Sequence, residues 1–176
     1  VFEFEAAVER HQRKVYSFAC YWLGDREAAA DVTQEVWIRL WRHWDGVRAE
    51  TMQSWLIRTT RNACIDHLRH RRVERSLFLE SEAAEGLESA EQPVAEGFDP
   101  VRRLENKALG HRLAREIRHL REPHRAIVIL REIQGLSYRE ISDALSIPIN
   151  SVKVYLHRGR RALRESLKEQ HVPTSP

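Results

Sequence analysis

Between Gly135 and Arg164 the stop, cap and break signals crowd so closely that they suit one local fold, two helices joined by a tight turn. Gly135 fits the left-handed position that ends a helix, because glycine has no Cβ to clash there. Ser137 and Glu140 have the spacing of a capping box, in which a serine hydroxyl and a glutamate satisfy each other's free amides. Ile141, Ala144 and Leu145 give the first helix one apolar side. Pro148 lacks an amide hydrogen and disfavours helical conformation at its predecessor, so the stretch 146–149 breaks that helix. Asn150 or Ser151 is then expected to cap the second helix.

On the second helix Val152, Leu156, Gly159 and Leu163 share one side, flanked by Tyr155 and Ala162. Lys153, Val154, His157, Arg161 and Arg164 occupy the other, with Arg158 and Arg160 at its margins. A helix about 10–12 Å across fits the major groove of DNA, where its N-terminal residues reach base edges. The face therefore predicts a DNA-reading helix. The competing reading is an amphipathic hairpin whose basic side is merely solvated.

Charge is unevenly spread along the 176 residues, although the net value is only +3. Residues 1–72 hold 12 basic and 10 acidic side chains, residues 73–100 hold 1 and 8, and residues 101–176 hold 16 and 8. A basic C-terminal block behind an acidic spacer suggests a polyanionic partner for that block. Cys20 and Cys64 stand alone in apolar-periodic segments, without a CxxC pair, and read as buried free thiols in a reducing compartment. No apolar run approaches the roughly 20 residues that cross a bilayer, and no signal-peptide pattern opens the chain. A cytoplasmic protein with no membrane partner is expected. Because the chain opens on valine, a trimmed N-terminus is expected as well.

Residues 4–23 form a first helical segment, with Phe4, Val8, His11, Val15, Phe18, Ala19 and Trp22 at helical spacing. Gly24 ends it, and Asp25 is a good N-cap for the next helix, whose buried stripe is Ala29, Val32, Val36 and Leu40. Asp31, Gln34, Glu35, Ile38 and Arg42 lie on the far side. An isoleucine among acids and an amide suits a docking surface, and it equally suits solvated surface with one stray apolar residue. Trp37, Trp41 and Trp44 are expected in the core. A loop over 45–50 leads to a helix over 51–72, with Leu56, Ile57, Thr60, Ala63, Cys64 and Leu68 inward. Trp55, Arg58, Asn62, Ile65, Asp66 and Arg69 face outward, and the run Arg69-His70-Arg71-Arg72 is expected to end the helix. Aromatic, amide and arginine groups could grip an unstacked base and its phosphates. Arginines in a last turn also favour the helix dipole with no ligand at all.

The stretch 73–100 is acidic, contains two glycines and two prolines, keeps no sustained period and reads as a flexible linker. Helices resume at Val101, with Leu104, Ala108, Leu113, Ile117 and Leu120 in one and Ile127, Leu130 and Ile133 after Pro123. No β-type alternation appears. The expected fold is all-α, two helical domains over 1–72 and 101–170, the linker between them and a tail at 171–176.

Three segments together resemble the small, two-domain, extracytoplasmic-function (ECF) sigma factors of bacterial RNA polymerase. Asp31-Val32-Thr33-Gln34-Glu35-Val36-Trp37 is similar to the family's polymerase-binding signature. Trp55-Leu56-Ile57-Arg58 and Arg61 through Arg69 resemble the segment that melts and reads the promoter minus-ten element. Gly135 to Ile141, with Ser151-Val152-Lys153 and Leu156-His157-Arg158, resembles the helix-turn-helix that reads the minus-thirty-five element. The resemblance implies core RNA polymerase as partner, with its beta-prime clamp helices held by Asp31, Gln34, Glu35 and Ile38 and its beta flap touched by the C-terminal domain. It implies minus-ten contacts from Arg48, Trp55, Arg58, Arg61, Asn62 and Arg69. It implies minus-thirty-five contacts from Asn150, Ser151, Lys153, Val154, His157, Arg158 and Arg161. An anti-sigma factor is a further expected partner; no cofactor, metal or bond chemistry is implied. The chain departs from the family's pattern at Val154 and Tyr155, where many members have a small residue and an arginine, and at Gly159, where many have alanine.

Other classes fit less of the chain. A response-regulator-type helix-turn-helix protein would need a receiver or dimerising domain, and residues 1–72 lack β-α alternation. An enzyme would lean on His67 and His70 as zinc ligands, with no third ligand at metal-site spacing. A helical adaptor would leave the basic face unused.

Overall fold

A computed structural model describes residues 2–81 and 103–169, and the chain divides into two units, residues 1–92 and 93–176. Among the described residues every regular element is helical, as expected.

The first unit packs three helices, α1 (Phe2–Leu23), α2 (Arg26–Arg42) and α3 (Met52–Ser81), with 3-10 turns at Trp44–Gly46 and Ala49–Thr51. Gly24, at φ +72°, ends α1 in the left-handed region. Asp25 then caps α2, its carboxylate accepting from the amides of Glu27 (2.9 Å) and Ala28 (3.1 Å). The core joins Val15, Phe18, Ala19 and Trp22 of α1, the stripe Ala29, Val32, Val36 and Leu40 of α2, and Leu56, Ile57, Ala63 and Cys64 of α3. Each large side chain so buried contributes about 1.5–3 kcal/mol. Phe18 and Trp22 stack with ring centroids 5.4 Å apart. Thr60 is buried at no polar penalty, since its hydroxyl donates to the carbonyl of Leu56. Both cysteines are buried free thiols, and burial pushes the Cys20 thiol above its ordinary pKa.

Several expectations need correction here. Helix α3 does not stop at Arg72 but runs to Ser81, because no glycine or proline interrupts 73–81; that part of the expected linker is helical. The remainder of the linker, 82–100, lies outside the described residues, as does the tail at 171–176. Leu68, expected inward, is exposed, and near it Arg71 pairs with Asp25 at the start of α2 (3.7 Å). The three tryptophans are not core either. Trp41 is 57% exposed, Trp37 and Trp44 are half-buried, and Phe4 is met edge-on by Trp41 (5.0 Å) and Trp44 (5.3 Å). Their positions flank the α2 stripe, and smaller aliphatic residues fill the stripe itself.

The second unit contains α4 (Arg103–His119), α5 (His124–Val128) continuing into a π-helical turn (Ile129–Ile133), α6 (Tyr138–Leu145) and α7 (Ile149–Glu169). Arg125 closes the end of α4, donating to the carbonyls of Leu120 and Arg118. Gly135, at φ +72°, turns the chain after the π turn, and the amide of Leu136 donates back to the carbonyl of Leu130 (3.0 Å). The capping box forms as expected, Ser137 N to Glu140 Oε2 at 2.7 Å and Glu140 N to Ser137 Oγ at 3.2 Å. Ser146 ends α6 in the left-handed region at φ 55°, and the Ser142 hydroxyl braces the turn on the carbonyl of Ile147 (2.6 Å). Helix α7 starts two or three residues earlier than an Asn150 or Ser151 cap implies: the Pro148 carbonyl accepts from Val152 N (3.1 Å), so both residues lie inside the first turn rather than at its cap.

Val152, Leu156, Gly159 and Leu163 are the buried stripe of α7. Gly159 marks a close approach to α5, for an added Cβ would stand 2.8 Å from Val128 Cγ2 and 3.6 Å from His124 Cβ. Alanine in a helix interior gains up to about 1 kcal/mol over glycine, but overpacking a core costs about 1–3 kcal/mol. Gly159→Ala should therefore lower the melting temperature, whereas in a Val128→Ala background the same change should raise it. Thermal unfolding of the four proteins of this cycle checks the sign.

Burial first, with Lys14 and Arg10 adding like charge, lowers the pKa of His11 below 6.5. The unfolded chain thus takes up that proton more readily. The stability contributed is complete above about pH 6.5 and is lost as pH falls below it. Urea unfolding between about pH 7 and 5 should show declining stability, with the decline shallower in His11→Gln.

Candidate functional site

Three outward faces carry the chemistry, two on the first unit and one on the second. On α2 the side opposite the buried stripe presents Asp31, Gln34, Glu35 and Ile38, all exposed, with Ile38 at 45%. Arg39 donates to Glu35 at 2.6 Å, one turn along. An exposed pair of this kind contributes at most about 0.5 kcal/mol, so a partner can replace it. Trp41, three residues beyond Ile38, extends this face with the largest exposed apolar surface on α2. Sequence reasoning places Trp41 in the core and misses this role; its position beside Ile38 and off the Ala29–Leu40 stripe is the available signal.

On α3 the side away from Leu56, Ile57, Thr60, Ala63 and Cys64 carries Trp55, Arg58, Asn62 and Arg69 along one line, with Arg61 half-buried at its edge. Trp55 is half-buried, its ring 6.3 Å from that of His43. Arg48 is exposed ahead of the turn that leads into α3, and its carbonyl accepts from the Thr51 amide (3.0 Å) and hydroxyl (3.2 Å). These hydrogen bonds fix the entry into α3 and leave the Arg48 side chain at the surface. An aromatic, an amide and several cations on one helix face can stack on a base and hold phosphates.

On α7 the side opposite the buried stripe presents Asn150, Lys153, Val154, His157, Arg158 and Arg161, all exposed, while Ser151 is half-buried at its border. Arg160 is committed within the unit, its guanidinium donating twice to Glu132 Oε1 of the π turn (3.0 and 2.6 Å). Arg161 meets Glu165 at 2.7 Å, a hydrogen bond that holds its guanidinium more firmly protonated. At the far end, Arg112 of α4 donates to the carbonyl of Leu167, and the buried Glu116 accepts from the Ser166 hydroxyl. The position of α7 is therefore set by α4, the π turn and the close approach at Gly159. Its cationic side is left outward.

The residues of these faces fall within two family models, Sigma-70 region 2 over residues 7–74 and Sigma-70 region 4 over residues 110–163. The fold and the two matches define a sigma-70-type protein. The chain is 32% identical to the ECF RNA polymerase sigma factor SigW of Bacillus subtilis, over 94% of its own length and 89% of that protein. It is also 32% identical to the ECF sigma factor SigE of Mycolicibacterium smegmatis, over 96% of its own length and 63% of that protein. Among solved structures, the Bartonella quintana sigma factor RpoE, crystallised with the anti-sigma factor NepR, superposes with a TM-score of 0.71 at 20% identity, covering 96% of this chain and 98% of that one. The chain belongs to the ECF RNA polymerase sigma factors. It directs transcription initiation by RNA polymerase, with the core enzyme and promoter DNA as its partners.

Proposed function

We propose that the first helical domain, residues 1–72 with the continuation of α3 to Ser81, binds core polymerase and opens the minus-ten element, while residues 101–170 read the minus-thirty-five element, the stretch between connecting them. Asp31, Gln34, Glu35 and Ile38 would dock on the beta-prime clamp helices. Arg48, Trp55, Arg58, Arg61, Asn62 and Arg69 would hold a flipped base and its neighbouring phosphates. Flipping costs a few kcal/mol, which stacking at about 1–3 kcal/mol per base and phosphate contacts offset. Asn150, Ser151, Lys153, Val154, His157, Arg158 and Arg161 would lie in the upstream major groove, and the same domain would touch the beta flap.

One observation carries the reading. The side of α7 opposite Val152, Leu156, Gly159 and Leu163 is exposed and cationic, held that way by packing on its other side. The protein itself performs no bond chemistry; it positions the enzyme that does. Among the described residues no helix is long and apolar enough to cross a membrane, which supports action in the cytoplasm beside the polymerase. An anti-sigma factor is a further proposed partner, supported by the complex in which the similar RpoE was crystallised.

Lys153→Ala and Arg161→Ala should each weaken promoter binding by the polymerase complex. Each should also reduce the slope of log affinity against log salt by about 0.9 for every phosphate no longer neutralised. A salt titration that leaves both quantities unchanged removes this face from the promoter. Ile38→Asp places a charge on an exposed position, so the helical content should persist while co-purification with core polymerase is abolished. Normal co-purification of that variant would exclude the α2 face as the docking surface.

A further inference from the structure

Val154 is an anomaly on the face that carries it. It lies directly opposite the buried stripe of α7, one turn beyond Asn150, and is 46% exposed. Its surroundings on the helix are Lys153, His157, Arg158 and Arg161, and all are polar and exposed. A β-branched residue in the solvent-facing middle of a helix gains nothing from intrinsic propensity, which favours straight-chain residues there. Nor does it serve the packing of its own unit, which lies on the other side of the helix. An apolar side chain ringed by cations matches a ligand that is polyanionic around its edge and apolar at one point within. The major groove has that pattern, with phosphates along both walls and the C5-methyl group of thymine as the apolar group on its floor.

We propose that Val154 reads the C5-methyl group of a pyrimidine, a thymine in ordinary promoter DNA, within the upstream element. The inference rests on the α7 face lying in the major groove, and it adds the base that the centre of that face selects. Lys153, Arg158 and Arg161 fix the helix on the phosphates without reporting sequence. Val154 supplies discrimination that those cations cannot. Asn150, one turn earlier on the same line, would sit over the adjoining pair, since amide side chains suit adenine.

The test uses the full chain bound to core polymerase and duplexes selected from a random library for binding to that complex. Each thymine of the selected upstream element is replaced in turn by deoxyuridine, which removes only the methyl group. At one position the replacement should weaken binding about fourfold, the worth of one buried methyl group. In Val154→Ala that difference should vanish, read as the ratio of the variant's own affinities for the thymine and deoxyuridine duplexes. At the same position cytosine should bind less well than 5-methylcytosine, which separates the methyl group from the rest of the base. Indifference of the unaltered protein to deoxyuridine at every position would overturn the proposal. So would an undiminished methyl preference in Val154→Ala. Thermal unfolding of Val154→Ala should match or slightly exceed that of the unaltered protein, since alanine is the better helix former at an exposed position. Failure of the groove placement itself would register differently, as unchanged binding and salt slope in Lys153→Ala and Arg161→Ala.

Discussion

The approach of α7 to α5 at Gly159 is the constraint on which the second unit depends. With no side chain at that position, Val128 and His124 come within ordinary packing distance of the α7 backbone. Val152, Leu156 and Leu163 then reach the shared core, and rotation of α7 about its axis is fixed by what is buried. Fixing the rotation fixes the opposite side too. Lys153, Arg158 and Arg161 face out because the helix has one side suited to burial. The Arg160–Glu132 pair and the Arg112 hydrogen bond to Leu167 add directional restraint at two further levels of the helix. The outward cationic surface is thus a product of packing on the opposite side of the helix.

The first unit follows the same logic with a different division of labour. Its core is made from aliphatic stripes and the Phe18–Trp22 stack, which leaves α2 and α3 each with one wholly external side. Those sides differ in character. The α2 side mixes carboxylates, an amide and exposed apolar groups, which suits another protein. The α3 side joins an aromatic ring to arginines and an amide, which suits a base and its backbone. Neighbouring helices of one bundle thus present two faces of different chemistry.

How much of this could be read from residues alone depended on the range of the interaction. Signals acting within one turn were legible: the Asp25 cap, the Gly24 and Gly135 stops, the Ser137–Glu140 box and the break at Pro148 all stand where the chain's local chemistry demanded. The buried stripes of α2 and α7 were legible for the same reason, since period alone places them. Features set by distant packing were hidden. Trp41 looked like core because tryptophan is usually buried, yet smaller residues already fill the stripe beside it. Gly159 stands out in the sequence only as a departure from the family's usual alanine, and only the fold brings Val128 against it. Arg160 lies at the margin of the cationic side in the sequence, and only the fold brings Glu132 to it. The continuation of α3 past Arg72 was masked by composition, because acidic residues suggest a linker even where no breaker stops the helix.

Cys20 sits within the three-helix packing, and its proton is held more tightly than an ordinary thiol's. Nucleophilic attack on an oxidant requires the deprotonated sulfur at an accessible place, and here both requirements fail together. With Cys64 buried as well, both thiols of the bundle are shielded from peroxides and electrophiles in the surrounding solution.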